Sequence, residues 1–225
     1  MVTLCWAAKG GSGTTVVTTL FALEAPRPTL LVDLAGETPA VLGLPDPDRP
    51  GVVDWLRGSG AATQLDDLVV DVDASTALLP CRVGGAPTGP TTGSATEAVT
   101  PARWGELIAW LDSWAQQHSG TVWVDHGTGV PSAALAELVQ HRLLVTRPCY
   151  LALRRAAASP IRPTGVVVVS EARRSLGARD IERSLGAPVV ATIPFDPHIA
   201  RAVDAGLLVT RAPFTVRREL RRFAA

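Results

Sequence analysis

A short segment near the start of the chain combines residue types that can bind phosphate. It reads AKGGSGTT over residues 8–15 and directly follows an apolar run, Val2–Ala7. Glycines allow a tight turn whose main-chain N–H groups converge on phosphate oxygens, and the N-terminus of a following helix adds a positive dipole. Thr15 would begin that helix, where its hydroxyl can be a ligand of Mg²⁺. The order strand, glycine turn and helix therefore predicts a phosphate site, with a tight turn that binds nothing as the alternative.

The rest of the chain supplies the elements that must position such a site. Apolar runs rich in Val, Leu and Ile are continuous rather than alternating, which is typical of strands covered by helices on both faces. Because these runs alternate with helix-like stretches, we predict one α/β domain with a mostly parallel sheet. The predicted strands are Val2–Ala7, Thr29–Val32, Thr121–Val124, Leu143–Thr146, Gly165–Val169 and Val189–Ile193. The predicted helices after the first one are Trp104–Trp114, Ala133–Leu138, Tyr150–Ala157, Arg179–Leu185 and Pro197–Ala205.

Composition limits the classes of function that the whole chain can have. With 21 basic and 21 acidic residues among 225, the chain has no net charge to attract nucleic acid or an anionic membrane. The N-terminus lacks the pattern of a signal peptide, and no run approaches the roughly 18 apolar residues of a membrane-spanning helix. Cys5, Cys81 and Cys149 are expected to be reduced core residues. We therefore expect a soluble, cytoplasmic protein.

Two segments depart from the alternation of strands and helices. Residues 84–98 (GGAPTGPTTGSATEA) predict a flexible surface insertion, with a functional lid as the alternative. Residues 214–225 place Val216, Leu220 and Phe223 on one side of a helix, with four arginines around them. We expect this basic amphipathic tail to pack on its own domain. The alternatives are weak binding to an anionic membrane surface, which would make the protein membrane-peripheral, and nonspecific DNA binding.

The segment KGGSGTT resembles the deviant Walker A loop of the ParA/MinD family of P-loop ATPases, whose usual form is KGGxGKTT. It is also similar to the loop of the TadZ/CpaE branch, which locates pili. Later segments resemble, in order, the family's switch I, its Walker B with switch II, its strand ending in T-x-P, and its last strand with the following helix. These segments are TLLVDLAGE (29–37), TVWVDHGTGV (121–130), LLVTRPCYLALRRA (143–156) and GAPVVATIPFDPHIARAVDAGLLV (186–209). The resemblance covers most of the chain. It implies one SIMIBI-type P-loop domain over residues 1–225, ATP and Mg²⁺ as cofactors, and a nucleotide-dependent homodimer with a cargo or adaptor protein.

The resemblance also implies roles for single residues. Lys9, the only lysine in the chain, would reach across the dimer to the partner's phosphates. An ammonium on a flexible stem can enter such a narrow site as a point charge, and a planar guanidinium is a poor substitute. Asp33 is the first switch I aspartate and has an implied catalytic role with Lys9, while Thr15 and Asp125 would bind Mg²⁺. The implied nucleotide-binding residues are Lys9, Gly10, Gly11, Ser12, Gly13, Thr14, Thr15 and, near adenine, Pro194.

Three positions depart from the family's pattern. Thr14 replaces the lysine that binds the β- and γ-phosphates, Ala35 replaces the aspartate that positions the attacking water, and Ser170 replaces an adenine-contacting asparagine. Phosphoryl transfer depends mainly on positioning and on charge stabilisation, so these changes predict altered or lost hydrolysis. Glu37 could replace the lost carboxylate, although we expect an exposed loop residue. His126 is expected to be structural, with a switch role as the alternative.

Two functions are the main candidates from the sequence. The first is an ATP-binding dimerisation switch that positions a cargo such as a chromosome, plasmid, septum site or pilus, with weak or absent hydrolysis. The second is a TadZ/CpaE-like pseudo-ATPase scaffold that acts only through protein–protein interactions. Retention of Lys9, Thr15 and both aspartates favours the first, and the three departures favour the second. A metabolic enzyme of the same superfamily is the third candidate, but the bridging cysteine pair or P-loop lysine of such enzymes is missing from the sequence.

Overall fold

Eight strands form one central sheet in the computed structural model, which describes residues 1–26, 28–81, 99–172, 174–211 and 216. The strands are β1 (Val2–Ala7), β2 (Thr29–Asp33), β3 (Val70–Asp71), β4 (Thr76–Leu79), β5 (Thr121–Thr128), β6 (His141–Thr146), β7 (Gly165–Ser170) and β8 (Val189–Pro194). The α-helices are α1 (Thr14–Glu24), α2 (Thr38–Leu42), α3 (Val52–Arg57), α4 (Pro101–Gln117), α5 (Ala133–Leu138), α6 (Tyr150–Ala157), α7 (Ala178–Leu185), α8 (Pro197–Asp204) and α9 (Leu208–Arg211). A 3₁₀ helix spans Ala62–Leu68.

The strand order is β3-β4-β2-β5-β1-β6-β7-β8, and every neighbouring pair is parallel except β3 and β4. The predicted mostly parallel α/β fold is therefore confirmed. All the predicted strands and helices are present, with bounds that differ by a few residues. The sequence analysis did not identify β3, β4, α2, α3 or α9. Of these, β3, β4, α2 and α9 have at most five residues, too few to show a clear periodicity.

Helices cover both faces of the sheet, as the continuous apolar strands predicted. On one face α1 stacks the ring of Phe21 on Trp123, with 4.7 Å between the ring centroids. On the other face α4 buries Trp104, Leu107 and Leu111 against the strands. All six residues of β1 are buried, so the strand that leads into the glycine loop is fixed on both sides.

The sheet order brings the candidate motifs to one edge. Strands β2, β5 and β1 are neighbours, and all three run in the same direction. The loops that follow them therefore meet at the carboxyl edge of the sheet, where ligands bind in open α/β folds. Asp33 at the end of β2 is directly opposite Asp125 in β5.

The cysteine prediction needs one correction. Cys5 and Cys81 are buried, but Cys149 is partly exposed. It is the N-cap residue of α6, so it lies in the turn at the carboxyl edge of the sheet rather than in the core.

The predicted insertion at residues 84–98 lies outside the described residues. The same is true of the predicted tail at 214–225, apart from Val216. That residue is buried, in the cluster that also contains Leu20 and Phe21 of α1. In the described part of the chain, no helix is both long and apolar enough to span a membrane.

Candidate functional site

The glycine loop between β1 and α1 requires glycine at two of its positions. Gly11 and Gly13 have φ angles of +76° and +86°, in the left-handed region that side chains strongly disfavour. The Ser12 hydroxyl donates to the Lys9 carbonyl at 2.8 Å and closes the turn. Helix α1 begins directly after Gly13, and the Val17 N–H donates to the Gly13 carbonyl at 2.9 Å. The predicted order of strand, glycine turn and helix is confirmed.

Among the described residues, no side chain caps the N-terminus of α1. Its N-cap Gly13 provides no side-chain hydrogen bond, and the first turn contains no acidic residue. The first N–H groups of a helix need an acceptor, and an anion is the usual one when no side chain caps them. They border a cavity of about 250 Å³ whose lining runs from Gly11 to Val16 and includes Ala35, Glu37 and Thr128. We call it the phosphate-side cavity.

Asp125 lies beside this cavity with one carboxylate oxygen free. Its Oδ1 accepts a hydrogen bond from the Gly127 N–H at 3.0 Å, whereas its buried Oδ2 has no partner among the described residues. Burial and the neighbouring Asp33 raise the pKa of Asp125 to about 7, and the Thr15 hydroxyl and the Gly127 N–H act in the opposite direction. A buried carboxylate without a partner is costly, and a bound cation would remove that cost. Asp125 and Thr15 therefore suit a Mg²⁺ site.

Asp33 is also fully buried, but its oxygens are already in use. Oδ1 accepts hydrogen bonds from the N–H groups of Ala35 and Gly36 at 2.9 and 2.7 Å, and Oδ2 accepts one from Thr38 at 3.3 Å. Burial raises the pKa of Asp33 to about 6, although these N–H groups favour the ionised form. In this conformation Asp33 holds the loop after β2 through hydrogen bonds from that loop's main-chain N–H groups.

Thr14 and Ala35 are at the positions that the sequence comparison predicted to have lost function. Thr14 is the first residue of α1, and only 5% of it is exposed. Ala35 is so close to the end of β5 that a Cβ atom built on Gly127 would lie 2.8 Å from the Ala35 Cβ. In the described part of the chain, the residues lining the phosphate-side cavity include no lysine or arginine.

Lys9 does not direct its charge into that cavity. Its ammonium donates to the carbonyl of the adjacent Gly10 at 3.3 Å, and this contact is exposed. Lys9 also affects the pKa of Cys149. The N–H groups of Ala152 and Leu151 lower this pKa most, and the charges of Lys9 and Arg174 lower it further. Lys9 therefore lies on the rim of the site, on the side of the turn that follows β6.

A second cavity begins on the opposite side of Gly13. It has a volume of about 260 Å³ and lies between α1 and α8, with Val17, Val169 and Ile193 among its aliphatic walls. We call it the apolar slot. Pro194, which the resemblance placed near adenine, lines this slot. Gly13 and Val16 border both cavities, so the two are adjacent at the start of α1.

The rim of the apolar slot contains an ionic cluster that the sequence did not reveal. Arg147 follows β6 and forms an ion pair with Glu171, which follows β7, at 2.9 Å. Arg174 binds the same carboxylate, and both arginines lower the pKa of Glu171, with Arg174 contributing more. The Arg147 guanidinium also lies 5.1 Å from the centre of the Phe195 ring. The signal in the sequence that could have indicated this cluster was an arginine after one predicted strand and a glutamate after the next.

Glu37 and His126 differ in how they relate to the site. Glu37 is exposed, lines the phosphate-side cavity, and is close enough to add to the raised pKa of Asp125, after burial and Asp33. His126 is buried, and neither ring nitrogen has a partner in the part of the chain that is described. Burial lowers its pKa to about 4. Because side chains alternate along β5, His126 faces the side of the sheet opposite Asp125.

Several solved ATPase structures are similar to this chain over nearly its whole length. The ParA family ATPase from Chlorobium tepidum TLS is 21% identical with a TM-score of 0.70, and the match covers 99% of this chain and 98% of that one. The MinC:MinD complex of Aquifex aeolicus gives 19% identity and a TM-score of 0.73, with 99% and 93% covered. MinD complexed with Mg-ADP from Pyrococcus horikoshii OT3 gives 18% and 0.71, with 100% and 95% covered. No protein-family model and no curated protein matches the sequence.

At these identities the likeness establishes the fold. The chain has the fold of the ParA/MinD-type P-loop ATPases.

Proposed function

We propose that the protein is a nucleotide-dependent dimerisation switch that binds ATP with Mg²⁺, hydrolyses it weakly or not at all, and positions a cellular cargo through an adaptor. The observation that carries this proposal is the free, buried oxygen of Asp125 beside the uncapped N-terminus of α1. The Asp125 oxygen needs a cation, and the N-terminus of α1 needs an anion. A nucleotide with its Mg²⁺ supplies both. The similar MinD of Pyrococcus horikoshii is complexed with Mg-ADP, which agrees with this assignment.

The residues around the phosphate-side cavity would share the binding between them. Main-chain N–H groups from Gly11 to Thr15 would donate to phosphate oxygens, and Asp125 and the Thr15 hydroxyl would bind Mg²⁺. When bound, Mg²⁺ neutralises part of the phosphate charge. The apolar slot, with Pro194 in its wall, would take the nucleoside.

Weak hydrolysis is expected because groups that promote hydrolysis are missing from the described lining of the phosphate-side cavity. Its described lining contains no cation, and Ala35 places a methyl group where the attacking water would need a carboxylate. Each loss removes a separate source of transition-state stabilisation. We therefore expect turnover far below about 1 s⁻¹, the lower end of ordinary enzyme rates.

Dimerisation is supported by the surface around the site. Lys9 forms no ion pair with any described residue, and it lies at the carboxyl edge of the sheet. At the same edge Tyr150 and Val130 are 73% and 45% exposed. An exposed aromatic and an exposed aliphatic side chain next to an available ammonium suit a second copy of this chain that presents its own phosphates.

Light scattering after size exclusion tests the switch. We expect wild-type protein to dimerise with Mg²⁺–ATP, and Lys9→Ala and Lys9→Arg to stay monomeric and folded, since a planar fork cannot replace a point charge. The control is Arg162→Ala, which removes an exposed cation that precedes β7 at the opposite edge of the sheet. Normal dimerisation of Lys9→Arg with nucleotide would contradict the proposed role of Lys9.

The second candidate is a scaffold of the TadZ/CpaE type that binds no nucleotide. The absence of a cation from the described lining of the phosphate-side cavity favours it. A scaffold would have the same oligomeric state with and without Mg²⁺–ATP, and this separates the two functions.

We propose that the C-terminal tail packs on its own domain as a structural element. Val216, one of three apolar residues on its predicted face, is buried in the core cluster with α1 and is not exposed to a membrane surface. Binding of the tail to a membrane or to DNA remains a sequence prediction.

A further inference from the structure

Two side chains of the apolar slot differ in kind from the rest of its lining. Most of that lining is aliphatic, and the carboxylates of Asp196 and Asp204 can only accept hydrogen bonds. In the described lining, Arg147 is the one side chain with N–H donors, and Phe195 is the one aromatic ring. These two groups are neighbours, because the Arg147 Cζ atom lies 5.1 Å from the centre of the Phe195 ring.

The Arg147 guanidinium is held in place from outside the slot. Its Nη1 donates to Glu171 at 2.9 Å, and Arg174 binds the same carboxylate. Neither Glu171 nor Arg174 belongs to the described lining of the slot. Among the described residues, the Nη2 group of Arg147 has no acceptor. The ion pair therefore fixes the planar group at the slot and leaves it donors for a ligand.

A nucleobase is the part of a nucleotide that suits this pair of side chains. Every base has a π face, which stacks on an aromatic ring or on a guanidinium plane. Both purines also present an acceptor at N7, and guanidinium groups only donate. A lysine ammonium has no planar face and would offer only a point charge.

The position of Arg147 relative to the two cavities favours the base over the phosphates. Arg147 lines the apolar slot but does not belong to the described lining of the phosphate-side cavity. The glycine loop lies between β1 and α1, whereas Arg147 follows β6 and is turned towards Phe195 at the end of β8. A nucleotide whose phosphates bind the glycine loop therefore meets Arg147 through its nucleoside.

From these contacts we propose that Arg147 contacts the base of the bound nucleotide and determines how tightly the nucleoside is held. The inference rests on the proposed function and adds a specificity-determining residue to it. The planar face of the guanidinium stacks on the base, and its free donors face the acceptors of the base. The glycine loop and Mg²⁺ hold the phosphates independently of Arg147.

Competition binding on the full-length chain tests this inference. Mg²⁺–ATP and Mg²⁺–tripolyphosphate, which has phosphates but no base, each displace a fluorescent ATP analogue. We expect Arg147→Ala to weaken binding of ATP at least about tenfold, the usual contribution of stacking on one base, and to leave the affinity for tripolyphosphate unchanged. Arg147→Lys keeps the charge without the plane, so it should weaken ATP binding nearly as much.

The matched control is Arg174→Ala. It removes the same charge from the same Glu171 carboxylate, but Arg174 lies outside the described lining of the slot. Its affinity for ATP should equal that of wild type. An equal loss of ATP affinity in Arg174→Ala and Arg147→Ala would overturn the inference, because the charge of the cluster and not the contact would then matter.

The remaining outcomes separate this inference from the proposed function. Unchanged ATP affinity in Arg147→Ala, or wild-type ATP affinity in Arg147→Lys, would overturn the inference and leave the nucleotide switch intact. An equal loss for ATP and tripolyphosphate would also overturn it, because Arg147 would then act on the phosphates. If Mg²⁺–ATP does not bind to the wild-type chain, the proposed function fails and the inference fails with it.

Discussion

The phosphate-side cavity and the apolar slot differ in the charged side chains that line them. The phosphate-side cavity is lined by the glycine loop, by hydroxyl side chains and by the exposed Glu37, and its described lining contains no basic side chain. The apolar slot is mostly aliphatic but has Arg147 at its rim. The basic side chain therefore lies beside the apolar slot and not in the described lining of the phosphate-side cavity. Since helix and loop dipoles alone supply only partial charges, binding of the triphosphate should depend strongly on an added Mg²⁺.

Placing a cation in the phosphate-side cavity should have the largest effect. We expect Thr14→Lys to tighten binding of Mg²⁺–ATP by about a hundredfold, because a charged hydrogen bond contributes roughly 1.5–3 kcal/mol. Calorimetric titration measures the change. Thr14→Val keeps the shape of the side chain without adding charge, and its affinity should stay close to that of wild type. A folded Thr14→Lys protein with wild-type affinity would show that the loop does not bind phosphate.

Removing the buried charge of Asp125 should stabilise the metal-free protein. Burial and Asp33 raise its pKa from 3.8 to about 7, so between these values the folded chain binds more protons than the unfolded chain. The free energy of unfolding therefore falls as pH rises through this interval. Urea unfolding of Asp125→Asn should show a gain of a few kcal/mol over wild type near pH 8, shrinking towards zero near pH 4. A gain that does not vary with pH would contradict the assigned cause.

Adding Mg²⁺ and nucleotide should make wild-type protein more stable than Asp125→Asn, since the variant loses the carboxylate that binds the metal. Wild-type protein should then melt at a higher temperature than Asp125→Asn. Equal stabilisation of both proteins would place the metal elsewhere.

The smallest effect is expected at Glu37. It is an exposed anion in the lining of the phosphate-side cavity, so Glu37→Gln should improve affinity for Mg²⁺–ATP only two- to threefold, or about 0.5 kcal/mol. The control is Glu137→Gln in α5, an equally exposed acid outside the lining of this cavity. If Glu37→Gln instead abolished a residual turnover, Glu37 would be doing the work of the aspartate that is missing at Ala35.

The sequence predicted those parts of the molecule in which a local motif determines local geometry. The glycine loop, the start of α1 and the carboxylates of Asp33 and Asp125 fall into this group, because each depends on its own strand and the turn after it. The long buried strands were predictable for the same reason. The short pair β3 and β4 was not, since strands of two and four residues show no periodicity.

Features that depend on several elements could not be read from the sequence. Arg147 and Glu171 meet only because β6 and β7 are neighbours and end at the same level. The commitment of the Asp33 oxygens to the main chain of its own loop depends on the exact path of that loop. The partial exposure of Cys149 follows from its position at the start of α6, at the edge of the sheet.

The most direct test of the account is calorimetric titration of ATP into the full-length chain, with Mg²⁺ and then with a chelator. The contrast between the two cavities predicts saturable binding of one nucleotide per chain with Mg²⁺, and a loss of at least about tenfold in affinity, or 1.4 kcal/mol, without it. No saturable heat at about 1 mM Mg²⁺–ATP, a concentration that detects even weak complexes, would contradict the account and leave the scaffold function. Equal affinity with and without Mg²⁺ would contradict the role given to Asp125.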